Sequence, residues 1–155
     1  MKRDHDEYLC RTYPEIFQDR SAPMCWGFEC GDGWFKILDL LCSNIQNHIK
    51  WNSHADAPIP QVVATQVKEK YGTLSFYYSG GDEYIHGLVS MAKSMSGVTC
   101  ETCGKPADRG GVEMSGWITT ICEPCDQERS QRYLDQTNKK GINYEYIGEE
   151  TGNID

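Results

Sequence analysis

Four cysteines fall in two Cys-x-x-Cys pairs, Cys100/Cys103 and Cys122/Cys125, with 18 residues between them. A pair at this spacing can exchange electrons as a dithiol, close as a disulfide, or present two thiolates to one metal ion. Two pairs together favour the metal. Tetrahedral zinc takes four sulfur ligands at about 2.3 Å, and two such turns complete that shell. Gly104 follows the first pair, as tight thiolate turns prefer. Cys100, Cys103, Cys122 and Cys125 are therefore read as the ligands of one Zn²⁺.

The second pair alone allows another reading. The segment ITTICEPC followed by a helical pattern is similar to a thioredoxin active site, where a helix N-terminus lowers a thiol pKa. The presence of Cys100 and Cys103 turns the balance to metal. The N-terminal MKRDHDEYLC has no apolar h-region, which predicts a cytoplasmic protein with reduced thiols rather than a disulfide framework. Four thiolates leave the metal no open position for water, so the zinc is expected to be structural. A nucleobase deaminase would need His-x-Glu beside its Cys pair, and no histidine follows His86. No catalytic residue is assigned, and the chain is expected not to be an enzyme.

Cys10, Cys25, Cys30 and Cys42 remain. Their irregular spacing favours core or incidental thiols over a second metal site, with Cys42 on the buried side of a helix. His48 and His54 flank a loop with Asp56 without a defensible catalytic order, and His86 is expected to be a partly buried filler beside an apolar stripe. Lys68 and Lys70 read as the outward face of a strand. Arg109, Arg129 and Arg132 are offset by Asp108, Asp126 and Glu128.

The elements that position these residues follow from periodicity. Residues 1–31 read as irregular, with Pro14, Pro23 and scattered aromatics. From Asp32, a plausible N-cap, Trp34, Ile37, Leu38, Leu41, Ile45 and Ile49 follow a helical stripe. Val63, Thr65, Val67 and Tyr71, then Leu74, Phe76 and Tyr78, alternate around Gly72 as a β-hairpin. Asp82 caps a second helix with the stripe Ile85, Leu88, Val89, Ala92 and Met95, stopping at Gly97. Between the cysteine pairs, Val112–Met114 and Trp117–Ile121 predict a short hairpin. Pro124 stands in the first turn of a last helix, where Glu128 and Arg132 pair. Ile142, Tyr144 and Tyr146 could add an edge strand.

Knuckle, hairpin and a second knuckle that opens a helix resembles the treble-clef class of zinc finger, over about residues 98–136. The fold class is thus α+β: a small helix–β-hairpin–helix layer followed by a treble-clef-like four-cysteine module. The division is 1–97 core with an irregular N-terminal segment, 98–136 zinc module and 137–155 acidic tail.

Charge bounds the partner. The net charge is −8; from Cys100 onward eleven acids face six bases, and the last fifteen residues hold four acids and no base. Zinc on four thiolates adds a further −2. Free nucleic acid should be repelled and a basic protein groove attracted. No run reaches the roughly 18 apolar residues of a membrane helix. CGDGW, VKEKYGTLSFYYSGGDEYI and the four-cysteine unit together resemble small phage- or prophage-encoded proteins of unassigned activity. In size, acidity and metal content the chain is also similar to zinc-bound anti-CRISPR proteins that inhibit an RNA-guided Cas nuclease. That resemblance implies a protein-binding inhibitor whose target is a basic, nucleic-acid-binding nuclease. The acid excess and base-free tail make Glu145, Glu149 and Glu150 candidate partner-binding residues. A nucleic-acid-binding zinc-finger regulator is the second expectation, an enzyme the third.

Overall fold

In the computed structural model, residues 1–18, 27–54, 57–107 and 118–139 are described. Helix α1, Arg3–Thr12, corrects the expectation of an irregular N-terminal segment. Its inner side buries Leu9, with His5, Asp6 and Cys10 half-buried beside it, so it offers no apolar stripe to read. Asp4 and Asp6 in its first turn and Arg11 in its last complement the helix dipole. The Tyr13 hydroxyl then donates to the Asp39 carboxylate at 2.7 Å and ties the end of α1 to the next helix.

A short 3₁₀ turn at Asp32–Trp34 leads into α2, Phe35–Trp51. Asp32 does not cap it, contrary to expectation. Its carboxylate instead accepts the Lys2 backbone N–H at 2.7 Å and faces the His5 ring at 3.1 Å. Burial opposes ionisation there, but Lys2 and His5 outweigh it and hold the carboxyl below its ordinary range. Trp34, Ile37, Leu38, Leu41, Cys42 and Ile45 are buried, as the stripe predicts.

Strands β1, Val63–Lys70, and β2, Thr73–Ser79, form a two-stranded antiparallel sheet with Val67 opposite Phe76. Tyr71 (φ 52°) and Gly72 (φ 74°) make the turn, with the two consecutive left-handed residues that type I′ requires. The buried face differs from the expected one. Val62, Ala64 and Val67 point inward rather than Val63, Thr65 and Val67, because a bulge between Ala64 and Gln66 shifts the alternation by one residue. Tyr71 is exposed at the turn.

Helix α3, Glu83–Ser96, is capped by Asp82 as predicted: its carboxylate accepts the Ile85 N–H at 3.0 Å. Ile85 and Ala92 are buried, whereas Met95 is exposed and His86 lies on the solvent side, which corrects both expectations. At the far end of α3 the buried Ser96 hydroxyl accepts the Leu74 N–H at 2.7 Å, joining α3 to β2. The helices and the hairpin share one apolar core built on Trp34, Leu38, Ile45, Val67 and Leu74. The last helix, α4, spans Glu123–Lys139. The architecture is mixed: helices, a two-stranded antiparallel sheet and a four-cysteine cluster. Among the described residues no helix is long and apolar enough to cross a membrane.

Candidate metal centre

The first thiolate turn is shaped by its own backbone. Gly104 N–H returns to Cys100 O at 2.9 Å, Cys100 N–H donates to Lys105 O at 2.8 Å, and Gly104 takes φ 76°. Ala107 N–H to Val98 O at 3.0 Å closes the loop behind it. The second pair straddles a helix start. Cys122 precedes α4 and accepts the Asp126 N–H at 3.0 Å, with Cys125 one turn on. Pro124 sits in that first turn, where an intrahelical N–H would have no partner.

The two turns bring all four sulfurs within 4.8 Å of one another, and Cys103 Sγ lies 3.6 Å from Cys122 Sγ. Four sulfurs at about 2.3 Å from a tetrahedral centre stand about 3.8 Å apart, so the cluster has the size of a zinc–thiolate shell. Cys100 and Cys122 are buried, Cys125 is half-buried and Cys103 exposed, around a small apolar patch with Ala107 and Ile121. Burial opposes ionisation of Cys100, but N–H groups of Cys122, Cys103 and Thr102 bring its thiol down to about 7. Burial and the neighbouring thiols push Cys125 up. Four thiolates cannot stay ionised together without a cation among them, and the donor set fits one structural metal ion.

The turn is seated on the core by contacts that cysteine spacing does not reveal. Gly33 N–H donates to Glu101 O at 2.7 Å, and the Trp34 indole N–H to Thr99 O at 2.8 Å. Gly31 N–H donates to the Glu101 carboxylate at 2.8 Å, and burial raises that carboxyl. Glu101 N–H reaches Thr120 O at 2.9 Å, and the Thr120 hydroxyl donates to Gly72 O at the hairpin turn. A Cβ at Gly33 would lie 2.1 Å from Cys100 O, and one at Gly31 2.2 Å from Glu101 O. The two glycines of CGDGW are thus the floor on which the first turn rests.

The remaining candidates separate. Cys30 and Cys42 are buried thiols, Cys30 pushed up to about 12 by burial and Cys42 raised for the same reason. They are core residues, and among the described residues the four cysteines are the only group of three or more potential ligands. His48 pairs with Asp82 at 2.9 Å and stacks on Tyr84, and His54 is exposed. Arg129 bonds Asp126 at 2.7 Å, and Arg132 pairs with Glu128 at 3.4 Å. Cys25, Asp56, Asp108, Arg109, Val112–Met114, Trp117 and the tail with Ile142, Tyr144, Glu145, Tyr146, Glu149 and Glu150 lie outside the described residues; of the expected strand Trp117–Ile121, residues 118–121 are described and form no strand, which corrects that expectation.

No protein-family model matches the chain, and no curated protein or solved structure matches it.

Proposed function

We propose that the protein is a zinc-stabilised, treble-clef-like binding protein that acts by docking on another protein and performs no chemistry of its own. The observation that supports this most is the closed set of four sulfurs, seated on the core through Gly31, Gly33 and Trp34. A metal with four thiolates is a poor Lewis acid, and its effect is to stiffen the surface around it before a partner arrives. The partner is a basic protein, met by the acidic surface after Cys100, with Glu145, Glu149 and Glu150 contributing to the attraction. The sequence resemblance extends this to a phage anti-defence inhibitor in the host cytoplasm, entering the nucleic-acid channel of an RNA-guided nuclease. The second reading, a nucleic-acid-binding zinc finger, draws on Arg129, Arg132 and Gln136 lining one hollow beside Cys125. The ion pairs to Asp126 and Glu128 offset that positive charge and leave this reading behind.

The test compares wild type with the Glu145→Gln/Glu149→Gln/Glu150→Gln variant as baits in bacterial lysate. Both are also titrated with DNA and RNA at about 0.15 M salt, where the screening length is about 8 Å. The expected result is a basic protein retained by wild type, held less at high salt and held less by the variant. Tight nucleic-acid binding, or equal retention by both baits, contradicts the proposal.

A further inference from the structure

Helices α2 and α3 run antiparallel. His48 near the end of α2 meets Asp82 at the start of α3, while Ile37 at the start of α2 shares a groove with Met95 near the end of α3. That groove, about 160 Å³, faces outward. Among the described residues none that lines it is charged, in a chain of net charge −8. Its rim shows Leu40 (46% exposed), Met91 (56%) and Met95 (42%). Past the His48–Tyr84 ring stack, one turn further along α2, Trp51 is 83% exposed.

We propose that this face is the contact between two copies of the chain, related by a two-fold axis that lays each α2–α3 pair across its partner. Two observations support a second copy, and the contact must outweigh the repulsion between two chains of charge −8. The first is area. The exposed parts of Leu40, Trp51, Tyr84, Met91 and Met95 come to on the order of 600 Å² per copy, about 1,200 Å² for the pair, which reaches the range of specific interfaces. The second is Gly87, in the middle of α3 between Tyr84 and Met91. Among the described residues a Cβ there would meet no atom within 4 Å, so no packing among them calls for glycine, a poor residue inside a helix. A second helix approaching closely along that ridge does.

An interface at the low end of the specific range is expected to be weak and to associate at micromolar concentration. The inference does not depend on the partner proposed above, and its test reads only mass. Zinc-loaded, reduced wild type is followed by sedimentation velocity from about 1 to about 300 µM. Leu40→Glu, Met91→Glu and Gly87→Ala are run beside it, with circular dichroism to show that each is folded. The expected result is a wild-type mass that doubles across the range. The glutamate variants should stay monomeric, and Gly87→Ala should associate roughly tenfold more weakly. A wild type that remains monomeric throughout overturns the proposal and leaves the groove to a different protein. Dimerisation that all three substitutions leave unchanged overturns it too.

Discussion

Gly33→Ala asks whether the metal turn and the core are one mechanical unit. The new Cβ would meet Cys100 O at 2.1 Å, Gly104 N at 2.5 Å and Glu101 O at 2.7 Å. All three are backbone atoms of the turn, so no side chain can swing aside, and the turn must lift from residues 31–34. Lifting breaks the Gly33–Glu101 bond and strands the indole N–H of the fully buried Trp34. A hydrogen bond contributes about 1 kcal/mol and a stranded buried donor costs about 1–3 kcal/mol, so the loss should be about 3 kcal/mol. That is roughly 150-fold in an equilibrium constant. It is read as urea unfolding of the zinc-loaded protein and as zinc affinity against a chromogenic chelator. The sign is informative, because alanine at a compatible glycine stabilises by about 0.4–1 kcal/mol. Gly87→Ala should do so at concentrations that keep the chain monomeric. Gly33→Ala with wild-type stability and zinc affinity would refute the seating.

Other expectations follow from single contacts. Ser96→Ala strands the Leu74 N–H and should cost about 1–3 kcal/mol in denaturant unfolding; a change under about 0.5 kcal/mol would show that water replaces the hydroxyl. Asp82→Ala removes the α3 cap and should cost about 1 kcal/mol. The His48 contact, then the Ile85 N–H, holds the Asp82 carboxyl below its ordinary value. Its contribution is therefore present above the unfolded carboxyl's pKa of about 4 and disappears as pH falls through the lower folded value. Wild type and Asp82→Asn should accordingly converge in stability on acidification; a gap that persists in acid would count against the pairing. Metal removal should strip hydrogen-exchange protection from residues 98–107 and 118–136 first. Gly33 and Trp34 should follow, with α2 and α3 retained; uniform loss would contradict a separable module.

What the sequence shows is what has a period or a fixed spacing. The two Cys-x-x-Cys pairs are legible because a tetrahedral shell needs four thiolates on two tight turns, and the cluster places them together. The stripe of α2, the Asp82 cap and the turn at Gly72 are legible because each is a local backbone preference. Helix α1 is not, since one buried leucine in ten residues makes no stripe. The bulge at Ala64/Gln66 inverts a correct alternation, which no residue type announces. The role of Gly31 and Gly33 depends on Glu101, 70 residues away from Gly31, so only the tertiary contact exposes it. The CGDGW segment stands out in composition, but its purpose lies in what rests on it. Asp32 likewise has the right type for a cap and is taken instead by Lys2 and His5 from α1 and its approach.

The central claim, a closed zinc–thiolate site that organises the surface, is tested most directly by zinc content with zinc K-edge X-ray absorption on freshly purified, reduced protein. The account predicts one zinc per chain and four sulfur neighbours at about 2.3 Å, with both lost in Cys103→Ser and Cys125→Ser. Protein that folds without zinc, or a shell containing oxygen or nitrogen in place of a sulfur, would contradict it.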